Sequence, residues 1–165
     1  MAIMAKEIMT TPVVSITPGT TLKRAAEILD ENHFSGMPVV DEDNKLIGII
    51  SETDIWRYSQ QIIGQPLRDP HQVFTKSKDV LHVDITHRGV EVIELVASTT
   101  VETLMTTEVI SVTEDTPVYK VSKLMEDNNI NRIPVVNDKN QLSGIISRAD
   151  LISAMVKNWD QFTSD

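Results

Sequence analysis

No cysteine occurs among the 165 residues, which excludes disulfides and thiolate metal sites but leaves the compartment open. No apolar run approaches the roughly 20 residues that a membrane-crossing helix needs, so membrane insertion is not expected. The opening residues, Met1-Ala2-Ile3-Met4-Ala5-Lys6-Glu7, lack a basic stretch followed by an apolar one, so no export signal is expected. Cations are outnumbered, 15 Lys and Arg against 24 Asp and Glu, and the net charge of −9 would repel nucleic-acid phosphates and anionic lipid heads. A cytoplasmic protein that binds neither nucleic acid nor membrane is the expectation. Also missing are a nucleophile–base pair, a Walker loop and any metal-ligand spacing among His33, His71, His82 and His87. Carboxylate pairs are common, but 24 acidic residues produce such pairs by chance. Neither an enzyme nor a metal or cofactor is expected.

What the sequence does contain is one segment written twice. Met9 to Ile55 aligns without a gap on Met105 to Leu151 at a constant offset of 96, with 18 identities over 47 positions counted directly. An internal repeat fixes the architecture before any local reading. Two copies of a small unit imply a pseudo-twofold body with two related clefts between them. The copies bracket three stretches: a first domain over 1–60, a linker or insert over 61–100, and a second domain over 101–165.

Within the first copy, Val13 to Thr17 is a β-branched run closed by Pro18-Gly19, which predicts a strand and a turn. Leu22, Ala25, Ala26, Ile28 and Leu29 then follow amphipathic helical spacing, with Thr20 as the expected N-cap. In the second copy Thr116-Pro117 repeats that signal, with proline expected at the first helical position. The helices should end near Asn32 and Asn128. Met37 to Val40 and Leu46 to Ile50 read as strands around the turn Asp41-Glu42-Asp43-Asn44, and a second helix starts near Ser51. Each copy is thus strand–helix–strand–strand–helix, an α/β or mixed α+β unit with helices covering a sheet face. In the insert, Leu81 to Ile85 and Val90 to Val92 alternate and predict a β-hairpin; a helix over Val90 to Ala97 is the competing reading.

Ser51-Glu52-Thr53-Asp54 and Ser147-Arg148-Ala149-Asp150 stand at matching places after a strand. Ser followed three residues later by an acid is a helix-capping box, which explains the pattern without any ligand. Gly48 and Gly144 precede them and leave room for a ligand ring near the backbone, or mark a bulge. Met105 and Met125 read as packing residues.

Asn32-His33-Phe34-Ser35-Gly36-Met37-Pro38-Val39-Val40 with Leu46-Ile47-Gly48-Ile49-Ile50-Ser51-Glu52-Thr53-Asp54 resembles a CBS domain. Asn131 to Val136 and Gly144 to Asp150 match equally well, so the resemblance covers both copies. Paired CBS domains form a Bateman module, and the resemblance implies two pseudo-twofold-related CBS domains packed through their sheets. It also implies a stand-alone sensor of adenosyl ligands (AMP, ADP or ATP, with S-adenosylmethionine as another possibility) that signals to an unknown effector protein. A homodimer is implied too, with apolar positions of the last helix, Leu151, Ile152, Met155 and Trp159, at its interface. Under that resemblance the Asp carboxylates would accept hydrogen bonds from a ribose diol. The first site would combine Ser35, Gly36, Ser51, Thr53 and Asp54 with Ile110 and Thr113, and Arg132 would face its phosphate. The second would combine Asn131, Arg132, Ser147 and Asp150 with Pro12, Val14 and Thr17, with Arg148 as its compensating cation. His33 reads as a polar helix-end residue rather than a phosphate ligand. The alternative function is a constitutive dimeric interaction module with no ligand.

Overall fold

Apolar residues spaced at three and four places, with no glycine or proline between them, give a helix in each copy, and β-branched runs give a strand pair. The computed structural model describes residues 2–63 and 94–157. In chain order the elements are α1 (Ala5–Ile8), α2 (Leu22–Asn32), β1 (Gly36–Val40), β2 (Leu46–Ser51) and α3 (Glu52–Ile63). Then come a 3-10 turn (Val101–Thr103), β3 (Val112–Thr113), α4 (Val118–Asp127), β4 (Arg132–Val136), β5 (Leu142–Ser147) and α5 (Arg148–Lys157). Residues 94–98 are helical as well. The expected hairpin over Leu81 to Val92 lies outside the described residues, as does Trp159; of the competing helix, residues 94–97 are described and helical.

The class is mixed α/β, as expected, although the leading strand is weaker than its sequence suggests. Between Val13 and Thr17 only Ile16 joins a strand, donating from its N–H to the Pro38 carbonyl (3.1 Å) and accepting from Val40 N–H (2.9 Å). Pro18 has no N–H to extend that ladder. In the second copy Val112 and Thr113 pair in parallel with Val135 and Val136, the geometry a strand–helix–strand crossover allows. β4 and β5 are antiparallel, from Arg132 opposite Ser147 to Val136 opposite Leu142, with an irregularity between Val135 and Val136. β1 and β2 form a two-stranded sheet.

Two helix starts differ by one residue from expectation. α2 is capped by Thr21, whose hydroxyl accepts from Arg24 N–H at 3.2 Å, while the Thr20 hydroxyl lies 3.4 Å from that of Thr17. Pro117 occupies the N-cap of α4, and Thr116 instead accepts from Thr113 N–H at 3.1 Å, closing the turn before the helix. Among the described residues, four non-glycine residues have positive φ and form two repeat-related pairs: His33 (55°) with Asn129 (51°), and Asn44 (61°) with Asn140 (60°). His33 ends α2 in the left-handed conformation, a helix-end role. Asparagine tolerates that conformation better than most residues, which suits it to the hairpin turns.

The described residues pack as two units, and neither coincides with one copy of the repeat. One, here the Asp54 unit, comprises Ser15–Glu42 with 47–63 and 94–108; the other, the Asp150 unit, comprises 2–14, Asp43–Leu46 and 109–157. Each therefore contains the Met-Thr-Thr segment that leads the other copy. In the Asp150 unit Thr10 exchanges two backbone hydrogen bonds with Ile145 (2.8 and 3.2 Å); in the Asp54 unit Thr106 does the same with Ile49 (2.9 and 3.0 Å). The Asp54 unit is cored by residues including Leu22, Leu29, Met37, Ile50 and Ile55, the Asp150 unit by Val121, Met125, Ile133, Val135 and Ile146. Withdrawing each such side chain from water contributes roughly 1.5–3 kcal/mol.

Candidate functional site

The two Ser-x-x-Asp segments form the same structure in both units. Ser51 ends β2, and its N–H and hydroxyl both donate to Asp54 Oδ2, at 2.9 and 2.6 Å. Asp54 N–H donates back to Ser51 Oγ at 3.3 Å. In the Asp150 unit Ser147 N–H and Oγ donate to Asp150 Oδ2 at 2.7 and 2.6 Å, and Asp150 N–H returns to Ser147 Oγ at 3.4 Å. These are reciprocal capping boxes, which satisfy helix-start donors and place a carboxylate at the positive end of the helix. A cap of this kind is worth roughly 0.5–2 kcal/mol.

The cap occupies only half of each carboxylate. Oδ2 takes both bonds, while among the described residues Oδ1 of Asp54 and of Asp150 accepts none. A carboxylate has about four acceptor positions, so about two stay available on each Oδ1. Both aspartates are half-buried, which strengthens a hydrogen bond relative to bulk water while leaving a path for a ligand. Capping and ligand binding are thus compatible at one residue.

The neighbouring candidates are brought to the same end of each unit by one further bond. Ser35 C=O accepts from Glu52 N–H at 3.1 Å, and Asn131 C=O accepts from Arg148 N–H at 3.1 Å. Ser35 and Gly36 therefore sit beside Ser51, Thr53 and Asp54 in the Asp54 unit, and Asn131 sits beside Ser147, Arg148 and Asp150. Arg132 lies opposite Ser147 in the β4–β5 register. Pro12 lies two residues after Thr10, which is bonded to Ile145 two residues before Ser147, and Pro12 and Val14 belong to the Asp150 unit. Ile110, Thr113 and Arg132 also belong to the Asp150 unit, whereas Thr17 belongs to the Asp54 unit. The hydroxyls of Thr17 and Thr113 lie 3.4 and 3.2 Å from those of Thr20 and Thr116, engaged in their own turns.

The glycines have a different explanation from the one their sequence position suggests. A Cβ on Gly48 would lie 2.6 Å from Met105 Sδ, and one on Gly144 would meet Met9 Sδ and lie 2.8 Å from its Cγ. Each glycine makes room for a methionine of the exchanged Met-Thr-Thr segment, not for a ligand ring. The repeat of Met9 and Gly144 as Met105 and Gly48 was the available signal, but their pairing across copies was not visible in it. Sequence reasoning also missed a cavity of about 430 Å3 beside Asp150. Among the described residues no group of His, Asp or Glu could hold a metal, and no helix is long and apolar enough to cross a membrane.

Comparison with known proteins agrees with the fold. A family model described as the CBS domain matches residues 5–58 and 101–157. The chain is similar to protein MJ1426 of Methanocaldococcus jannaschii, 32% identical over 158 residues, covering 93% of this chain and 91% of that one. It is also similar to the chloroplastic CBS domain-containing protein CBSX1 of Arabidopsis thaliana, 31% identical over 86% of this chain and 58% of the relative. Among solved structures, the CBS domain pair of protein MJ0100 in complex with 5′-methylthioadenosine and S-adenosyl-L-methionine has a TM-score of 0.67. It is 26% identical and covers 96% of this chain and 98% of that one.

Proposed function

This chain belongs to the CBS domain family, and on that footing we propose that it is a regulatory module binding adenosyl ligands through Asp54 and Asp150. The observation that carries the reading is the half-used carboxylate. Oδ2 of each aspartate is held by the serine N–H and hydroxyl, which fixes the group's orientation, while Oδ1 has no partner among the described residues. A fixed acceptor with two open positions suits a vicinal diol, and fixing it beforehand lowers the entropy cost of binding. The similarity to the MJ0100 domain pair, whose structure holds two adenosyl compounds, supports the same ligand class. Signalling follows if the ligand binds one arrangement of the protein more tightly than another, since only differential affinity shifts an equilibrium. The role is regulatory rather than catalytic.

A second reading, a ligand-free dimeric interaction module, is favoured by one observation. α5 exposes Ile152 and Val156, at 62% and 67%, beside exposed Met155. The two readings separate by thermal stabilisation with AMP, ATP and S-adenosylmethionine. A ligand at ~100 times its dissociation constant adds about 2.7 kcal/mol if it binds only the folded state. Stabilisation by at least one adenosyl compound is expected; none at millimolar concentration would leave the interaction module as the function.

A further inference from the structure

We propose that Met9 is a redox-modification site: a hydroperoxide entering the cavity beside α5 oxidises its thioether to the sulfoxide, and the oxidised side chain loosens the Met-Thr-Thr segment from the Asp150 unit. Met9 is half-buried, and it lines the cavity of about 430 Å3 together with Glu7 on one side and Ser153, Ala154 and Lys157 of α5 on the other. One water takes up about 30 Å3 of liquid, so a small peroxide fits in that space and reaches the sulfur without unfolding. Neither the oxidation nor its consequence needs an adenosyl ligand.

The step is complete with these two reactants. The peroxide O–O bond breaks, and one oxygen forms an S–O bond to Met9 Sδ. Its proton passes to the departing hydroxide, which leaves as water. Sulfur is oxidised, the peroxide is reduced, and enzymes that reduce methionine sulfoxide can reverse the change. Ser153 and Lys157, which line the same cavity, carry the hydroxyl and ammonium donors from which a sulfoxide oxygen accepts.

The surroundings of Met9 make the added oxygen costly. Met9 packs against the core of the Asp150 unit and covers Gly144 so closely that a Cβ there would meet Sδ and lie 2.8 Å from Cγ and 3.0 Å from Cβ. The side chain has no room to retreat, and oxidation turns an apolar group at the edge of a core into a polar one. The bonds at stake are those that dock the segment: Met9 N–H to the Ala5 carbonyl at 2.9 Å, and the two between Thr10 and Ile145. Met105, the repeat counterpart, is placed differently. A Cβ at Gly48 would stay 3.4 Å from its Cβ, which leaves Met105 free to swing aside. At the offset of 96 Ala154 corresponds to Tyr58, which packs with Met105 against the core of the Asp54 unit. A phenol ring therefore stands at the position where a methyl group walls the cavity of Met9.

The test is peptide mapping of the full chain during exposure to hydrogen peroxide, with melting curves of the same samples, on Met155→Leu and Met155→Leu/Met9→Leu. Met155 is replaced because it is exposed and oxidises without regard to the cavity. In Met155→Leu, Met9 should oxidise at least about threefold faster than Met105, with the buried Met37 and Met125 last. The melting temperature should fall by several degrees in step with Met9 sulfoxide and stay unchanged in Met155→Leu/Met9→Leu. If the double variant does not fold, the time courses of Met9 sulfoxide and of melting in Met155→Leu decide the matter. Met9 that oxidises no faster than Met105 overturns the proposal. So does a melting temperature that does not follow Met9 sulfoxide, or one that falls equally without Met9.

Discussion

Adding one methyl group to each repeat-related glycine should have unequal effects, because the methionines that cover them sit differently. A Cβ at Gly48 would lie 2.6 Å from Met105 Sδ and 3.0 Å from Cγ, but 3.4 Å from Cβ, an ordinary contact. Met105 can therefore swing aside from its own Cβ. At Gly144 the new methyl would meet Met9 Sδ and lie 2.8 Å from Cγ and 3.0 Å from Cβ, so the base of the side chain, and the backbone behind it, must yield. Overpacking costs about 1–3 kcal/mol, with Gly48→Ala at the low end and Gly144→Ala at the high end. Replacing glycine also removes freedom from the unfolded chain, which returns about 0.4–1 kcal/mol. Gly48→Ala should thus be close to neutral, and Gly144→Ala should lose about 2 kcal/mol. At about 2–4 °C per kcal/mol for a chain of this size, Gly144→Ala lowers the melting temperature by about 4–8 °C. Combining Gly144→Ala with Met9→Ala should cost at least about 0.5 kcal/mol less than the sum of the single changes, since contacting residues couple. Melting curves of the four proteins provide the cycle. Unchanged stability in Gly144→Ala with loss of adenosyl binding would refute the packing account and return the glycine to the ligand.

Further outcomes follow from the caps and turns. Ser51→Ala and Asp54→Ala should each lower stability by roughly 0.5–2 kcal/mol, because each removes the same reciprocal cap, while Asp54→Ala, which removes the acceptor itself, should weaken an adenosyl ligand more than Ser51→Ala, which only loosens it. Equal binding by both variants, with equal loss of stability, would reduce Asp54 to a capping residue. Asn44 holds φ at 61° and donates from Nδ2 to the Leu142 carbonyl at 3.1 Å. Asn44→Gly should lose only the hydrogen bond, about 1 kcal/mol, and Asn44→Ala about 1 kcal/mol more for the left-handed backbone. Urea midpoints in which alanine is no worse than glycine would contradict that assignment.

Much of this was legible in the sequence because the repeat supplies every local signal twice. The helix of Leu22, Ala25, Ala26 and Leu29 and the capping boxes at Ser51 and Ser147 depend on residues within a few positions of one another. The exchange of Met-Thr-Thr segments was not legible, because Thr10 bonds to Ile145 and Thr106 to Ile49, contacts whose long separations leave no local periodicity. The role of Gly48 and Gly144 was hidden for the same reason. The strand over Val13 to Thr17 was overread: its β-branched run is real, but Pro18 ends the donor series and only Ile16 pairs. The caps of α2 and α4 fall at Thr21 and Pro117, one residue later than expected, because neighbouring threonines and Pro117 offer competing caps.

The central claim, that Asp54 and Asp150 hold a ribose diol, is tested most directly by removing the diol from the ligand. Calorimetry would compare S-adenosylmethionine and AMP with their 2′,3′-dideoxy analogues on wild type and on Asp54→Ala/Asp150→Ala. Hydrogen bonds to a charged acceptor contribute about 1.5–3 kcal/mol, so wild type should bind the dideoxy compounds roughly 10- to 100-fold more weakly. The double variant should bind each parent compound and its analogue alike, both weakly. Wild type that binds the dideoxy analogues as tightly as their parents would contradict the account and leave both aspartates as helix caps.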